Sequence, residues 1–319
     1  MSKANSESLK GIFAVVIVLV HARGMTTHFN DTIIGMILTA LGYLSVAVFF
    51  FLSGYGLQFS AKKKASYIKA FPRSKILDFY IKYIIAIIVH SAFLYFVTRE
   101  IPMKEALLSF VFVENVVTYG WYLQAIFFLY LIFWLVNRFI PFKRPEKKIA
   151  IITIIYAIVV IVLKSEKMLF CEAVLAFPLG MLWHEHKEKI DNIIFSKKYP
   201  WFVLLAFGLF SGLLLLGNLN ILNPILKNIA KIISAPVFVM VVLLLVKPFN
   251  INNKIPRTLG KISLEIYIFQ FLFLKFYLSP YVYIENFVLY FIASLVSTIL
   301  LSLVMHQAFA CISKIVKKS

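Results

Sequence analysis

LKGIFAVVIVLVHARG, residues 9–24, reads as a helix that enters a bilayer and carries an ionisable ring inside it. Lys10 and Gly11 lead into the apolar run Ile12–Val20, and then His21 stands where another Val or Leu would fit. If the hydrocarbon begins near Leu9, His21 lies roughly 18 Å in, at ~1.5 Å per residue. The hydrocarbon core is about 30 Å thick, so the imidazole sits just past its middle. Ionisable groups at that depth are costly and face a bundle interior or a wet cavity. Lys10 and His21 are eleven residues apart, three turns plus roughly 20°, so they share one helix face about 16 Å apart. A cation then marks one end of that face and a base lies in mid-membrane. A long anionic ligand could rest its phosphates at Lys10 and its reactive end near His21. The plainer alternative is that Lys10 is a flanking charge and His21 a hydrogen-bonded packing residue.

The whole chain has the character of this segment. Of its 319 residues 61% are hydrophobic, and the mean hydropathy is +0.89. A soluble domain is nearer half apolar. The apolar runs are about twenty residues long, which suits spanning helices, and strict alternation is absent, which argues against a barrel. Ten spanning helices are expected, near 8–24, 33–58, 76–98, 119–140, 149–164, 168–184, 199–217, 228–247, 262–279 and 285–312. The first reads as retained rather than cleaved, because no small-residue cleavage site follows it. Residues 59–75 read as a basic connection and 99–118 as a surface or re-entrant segment. No internal repeat or separate soluble domain is visible, so residues 1–319 read as one all-α transmembrane domain.

The net charge of +19 follows from topology. With the N-terminus in the cytoplasm, 24 of the 33 Lys and Arg fall in inner segments and 8 in outer ones, with Lys82 inside a helix. This bias places both termini inside and explains the charge without nucleic acid. Cys171 and Cys311 lie far apart in apolar stretches and form no disulfide framework, and no Cys/His cluster has zinc spacing.

Other segments carry candidate chemistry. VAVFFFLSGYGLQFS (46–60) contains Ser53, Gly54 and Gly56, where a ligand or a second helix can approach closely. The following basic stretch, with Arg73 and Lys75, suits nucleotide phosphates or anionic lipid. YGWYLQAIFFLY (119–130) places Trp121 and Tyr122 at an interface and Gln124 within the span. LFCEAVLAFPLGMLW (169–183) puts Glu172 in the outer part of its helix, where it could orient a histidine, bind a sugar hydroxyl or pair with a lysine. LGKISLEIYIFQFLF (259–273) aligns Ser263, Tyr267 and Gln270 on one face, a pattern that interhelical hydrogen bonding also produces. His90 and His306 read as structural, and His184 and His186 as solvated loop residues.

In this order the segments resemble the acyltransferase 3 family of membrane O-acyltransferases. The likeness rests on a cation and a histidine eleven residues apart in the first helix, here Lys10 and His21. FFFLSG at 49–54 follows, then PRSKILDFYIKY at 72–83, WYL at 121–123 and LGKISLEIYIFQ at 259–270. The resemblance covers nearly the whole chain. It departs at four positions: Lys10 and Lys75 stand for arginines, Asp78 for a proline and Gln270 for a histidine. Lysine keeps the charge of arginine but not its planar two-point grip on phosphate.

The resemblance implies transfer of an acyl group, usually acetyl, from cytoplasmic acyl-CoA to a hydroxyl of a cell-surface carbohydrate. It makes His21 the catalytic residue. Beyond the resemblance, His21 is expected to act as general base on the acceptor hydroxyl, and Glu172 is a candidate partner for it or part of the acceptor site, though no spacing connects the two. Lys10, Arg73 and Lys75 would hold the CoA phosphates, with Ser53 and Gly54 near the donor. Trp121, Tyr122, Gln124, Tyr267 and Gln270 would line the acceptor site. The expected localisation is the plasma membrane, with no metal and no permanently bound cofactor. Two other classes fit parts of the pattern: a proton-coupled transporter or flippase using His21 and Glu172 as a relay, and a non-catalytic partner in polysaccharide assembly.

Overall fold

The computed structural model describes residues 1–318 except 65, 101, 163–172, 174, 219–222, 247, 250 and 252. Among the described residues the chain is all-α apart from one short hairpin. Its helices are α1 (Lys3–Gly24), α2 (Ile33–Lys63), α3 (Tyr67–Phe71), α4 (Asp78–Thr98), α5 (Met103–Phe110), α6 (Trp121–Phe139) and α7 (Pro145–Val162). There follow α8 (Ala176–Glu185), α9 (Lys187–Ile194), α10 (Tyr199–Asn218), α11 (Pro224–Val246), α12 (Lys254–Lys261), α13 (Ser263–Phe276) and α14 (Phe287–Lys318). Strands β1 (Leu278–Ser279) and β2 (Val282–Tyr283) pair antiparallel between α13 and α14.

Among the described residues, seven helical stretches are long and apolar enough to cross a membrane: Lys3–Gly24, Ile33–Lys63, Tyr67–Thr98, Trp121–Phe139, Tyr199–Gly217, Pro224–Val246 and Phe287–Val316. Trp201, Leu204 and Leu205 of α10 are exposed, as an apolar helix bathed in lipid requires. Three other expected spans form shorter or more polar helices. α7 has charges at Glu146, Lys147 and Lys148 in its first turn, and of the sixth expected span α8 is the helix among the described residues. α13 has 14 residues, roughly 21 Å at ~1.5 Å each, and its sides are covered by protein.

The ends of several helices differ from the sequence expectation. α1 starts at Lys3 because the Ser2 hydroxyl accepts the Asn5 amide at 3.1 Å and caps it. Residues 59–75, expected as a connection, are largely helical. α2 runs on to Lys63, and α3 continues into α4 through a π-helical stretch, Pro72–Leu77. Pro72 has no N–H to donate, and the widened turn accommodates the missing bond. α5 occupies part of the segment expected at the surface. His184, expected in a loop, lies in α8 edge-on to Tyr55 and Phe59.

The chain divides into two compact units. The first comprises Met1–Ser6, Tyr43–Lys69 and Ile132–Asn253. In it α10 packs along α11, and α8 packs against α7 and α11. A Cβ on Gly54 would overlap the Phe177 carbonyl, so the glycine seats α2 directly on α8. Farther along the same two helices, Glu185 accepts from Gln58 at 2.6 Å and from Lys62 at 2.5 Å.

The second unit comprises Glu7–Gly42, Ala70–Leu131 and Lys254–Ser319. Its frame is a crossing of α1 and α12 at two glycines. A Cβ on Gly11 would overlap the Pro256 carbonyl, and one on Gly260 would overlap the Glu7 carbonyl. From that crossing α13 runs beside α1 in the same direction, so Gln270 reaches His21 and Phe271 reaches Ala22. α14 returns antiparallel to α13, with Tyr290 bonded to the Leu274 carbonyl and His306 bonded at 2.9 Å to the buried Glu265. α4 closes the other side of α13, where His90 bonds the Ile268 carbonyl at 2.8 Å. It also meets α14 where Asp78 accepts from Lys82 at 2.8 Å and from the Ser313 hydroxyl.

Candidate active site

His21 is half-buried near the end of α1, and three aromatic rings surround it. Tyr119 stacks on the imidazole with centroids 4.7 Å apart and planes at 27°. Phe271 lies at 4.7 Å and Tyr267 stands edge-on at 6.5 Å. The ring's polar partner is Gln270, with Nδ1 of His21 3.1 Å from Oε1.

That hydrogen bond has one direction. The Gln270 amide nitrogen donates to the Tyr267 carbonyl at 3.0 Å, so its oxygen faces the histidine. An amide oxygen only accepts, so Nδ1 carries a proton, and in the neutral ring Nε2 then holds the lone pair. Nε2 makes no hydrogen bond among the described residues. In the neutral ring, one nitrogen is anchored and the other is presented as a base. Tyr267 completes the support: its hydroxyl donates to the Tyr119 carbonyl at 2.6 Å, and its ring packs on Tyr122 at 5.1 Å.

The other expected site residues divide into groups. Lys10 lies near enough to Lys75 for their charges to interact, with Glu7 close by, so the first helix and the basic segment meet at one cationic spot. Arg73 and Lys75 are both exposed on the π-helical stretch. Trp121 and Tyr122 are buried, 7% and 8% exposed, and face inward rather than outward. Gln124 is turned to the preceding loop and donates to the carbonyls of Phe112 and Glu114, at 3.3 and 2.9 Å. Ser53 and Gly54 belong to the first unit, where Gly54 makes the helix contact described above. Glu172 lies outside the described residues.

Two residues next to His21 went unmarked in the sequence, Tyr119 and Phe271. Phe271 is one of 32 phenylalanines and differs from the others only in following Gln270. Tyr119 had a weak signal, the turn-forming Gly120 beside it.

A family model described as an acyltransferase domain, that of acyltransferase 3, matches residues 4–307. The chain belongs to the acyltransferase 3 family. It is an acyltransferase, and its long apolar helices make it a multi-pass membrane protein. No curated protein and no solved structure matches the chain.

Proposed function

We propose that this acyltransferase moves an acyl group, acetyl by preference, from cytoplasmic acyl-CoA to a hydroxyl of a cell-surface or exported polysaccharide, with His21 as general base. The observation that carries the reading is the fixed tautomer of His21, held by an amide whose orientation is itself fixed. An imidazole can take a proton at one nitrogen while it donates from the other. The acceptor O–H gives its proton to Nε2 as the oxygen adds to the thioester carbonyl. The tetrahedral intermediate then expels the CoA sulfur, which takes the proton back from Nε2 and leaves as a thiol. Gln270 keeps its bond to Nδ1–H throughout, and it steadies the transient imidazolium with a dipole rather than a charge.

Lys10, Lys75 and Arg73 bind the CoA phosphates at the opposite end of the shared face of α1. The three-to-one lysine and arginine bias puts that end in the cytoplasm, in a ten-helix arrangement with both termini inside, in the plasma membrane. The acceptor then arrives from the outside, at the His21 end.

The test is base-labile acetate on surface polysaccharide from a strain lacking the protein, complemented with wild type or with His21→Ala at matched membrane levels. Wild type restores acetate and His21→Ala does not. Equal restoration would remove His21 from the mechanism. Restoration by neither, with transport of a labelled glycan precursor instead, would replace acyl transfer with a carrier function.

A further inference from the structure

Tyr119 occupies a backbone position that tyrosine disfavours. The Gly120 amide bonds the Val117 carbonyl at 2.8 Å and closes a tight turn, with Tyr119 at its third residue and φ at 55°. A turn with positive φ at that position is normally filled by glycine or asparagine. Strained residues of this kind persist where their surroundings over-determine them, and they cluster at functional sites. Here the surroundings are the catalytic apparatus itself: the carbonyl of Tyr119 accepts the Tyr267 hydroxyl, and its ring stacks on His21.

The ring geometry shows which face His21 and Phe271 occupy. Tyr119 to His21 is 4.7 Å, Tyr119 to Phe271 is 4.9 Å, and His21 to Phe271 is 4.7 Å. These centroids form a nearly equilateral triangle, so His21 and Phe271 lie on the same side of the tyrosine. The opposite face is not the one packed on His21 and Phe271, and Tyr119 is 44% exposed, whereas neighbouring Trp121 and Tyr122 are buried. The tyrosine hydroxyl makes no hydrogen bond among the described residues.

We propose that Tyr119 is the acceptor platform of the site: a sugar ring stacks on its outward face and extends a hydroxyl past the ring edge toward Nε2 of His21. The C–H groups of a pyranose carry the partial positive charge that the face of an aromatic ring attracts. This rests on the acyl-transfer reading above and replaces Trp121 and Tyr122 as the sugar-facing aromatics. It also separates two reactions. Water can take the acyl group without a platform, giving its proton to Nε2 and releasing carboxylate and CoA thiol.

The test uses the full chain in nanodiscs with acetyl-CoA, with and without de-O-acetylated surface polysaccharide from the producing strain. Tyr119→Ala should lower transfer to the polysaccharide by roughly tenfold, through a raised acceptor KM, as expected for a lost stacking partner. The KM for acetyl-CoA should stay near wild type, and transfer should fall several-fold further than the slow hydrolysis without acceptor, which needs His21 but no platform. Tyr119→Phe should keep transfer. Tyr119→Gly relaxes the turn while removing the ring, so it should behave as Tyr119→Ala and exclude a folding defect as the cause. The proposal is overturned if Tyr119→Ala lowers hydrolysis and transfer in equal proportion, since the ring then serves only to position His21. It is overturned equally if transfer is unchanged. Wild type that neither transfers nor hydrolyses would refute acyl transfer itself, and the platform with it.

Discussion

Two histidines grip the same short helix from opposite sides. His21 of α1 reaches Gln270 of α13, and His90 of α4 reaches Ile268, two residues earlier. Two residues are about 200° apart on a helix, so the contacts fall on opposite faces. His90 spends Nε2 on a main-chain carbonyl and is 3% exposed. His21 spends Nδ1 on an amide side chain and leaves Nε2 uncommitted beside a partly exposed ring. The same residue type in the same kind of surroundings is a structural pin in one place and a candidate base in the other. The difference lies in which nitrogen is consumed and by what.

The largest expected effect tests that contrast directly. His21→Ala should cost about 10²- to 10⁴-fold in acyl transfer, the range for loss of a general base, with little change in thermal stability. His90→Ala should do the reverse: a stability loss of about 1–3 kcal/mol, typical of a buried hydrogen bond removed with its packing, and activity within a few-fold once folded. Measuring transfer and melting on the same preparations decides it. A stable but inactive His90→Ala protein would erase the distinction.

Gln270 sharpens the comparison at the next level. Replacing an orienting carboxylate so that the histidine takes the wrong tautomer can cost about 10⁴-fold in a catalytic triad. A neutral amide contributes less, so Gln270→Leu should lower transfer by roughly 10- to 100-fold without moving the KM for acyl-CoA. Gln270→Glu keeps an acceptor for Nδ1–H and should retain most of the activity. Equal loss in both variants would mean that Gln270 acts through packing rather than through the tautomer.

Much of this geometry is legible in the sequence, for a simple reason. Helical geometry is rigid, so the shared face of Lys10 and His21, and that of Tyr267 and Gln270, follow from spacing alone. Ser53 and Gly54 were legible as a close approach, but spacing does not say whether a ligand or a helix comes close. At Gly54 it is α8, through the Phe177 carbonyl. The basic stretch before α4 reads as a connection because its lysines suit solvent and Pro72 lacks an N–H, yet a π-helical stretch carries the helix through. Tyr119 was hidden for a different reason. Its placement depends on a left-handed backbone conformation that tyrosine disfavours, and helical spacing does not mark the residue that adopts it.

The smallest effects belong at the far end of α1, and they bear on why this chain has Lys10. The charges of Lys10 and Lys75 interact, so each raises the cost of the other until an anion arrives. Removing either should therefore weaken acyl-CoA binding while partly relieving repulsion in the empty protein. Lys10→Ala or Lys75→Ala should each raise the KM for acyl-CoA by about three- to tenfold with kcat nearly unchanged, since a phosphate contact at the far end of the ligand supplies uniform binding. The double variant should cost less than the product of the two, because one charge alone suffers no repulsion. Lys10→Arg adds a planar fork that can take two phosphate oxygens, and it should lower that KM by a few-fold. A fall in kcat with an unchanged KM in these variants would move the lysines from the CoA site into the support of α1. The shared face of that helix would then carry a base at one end and no ligand at the other.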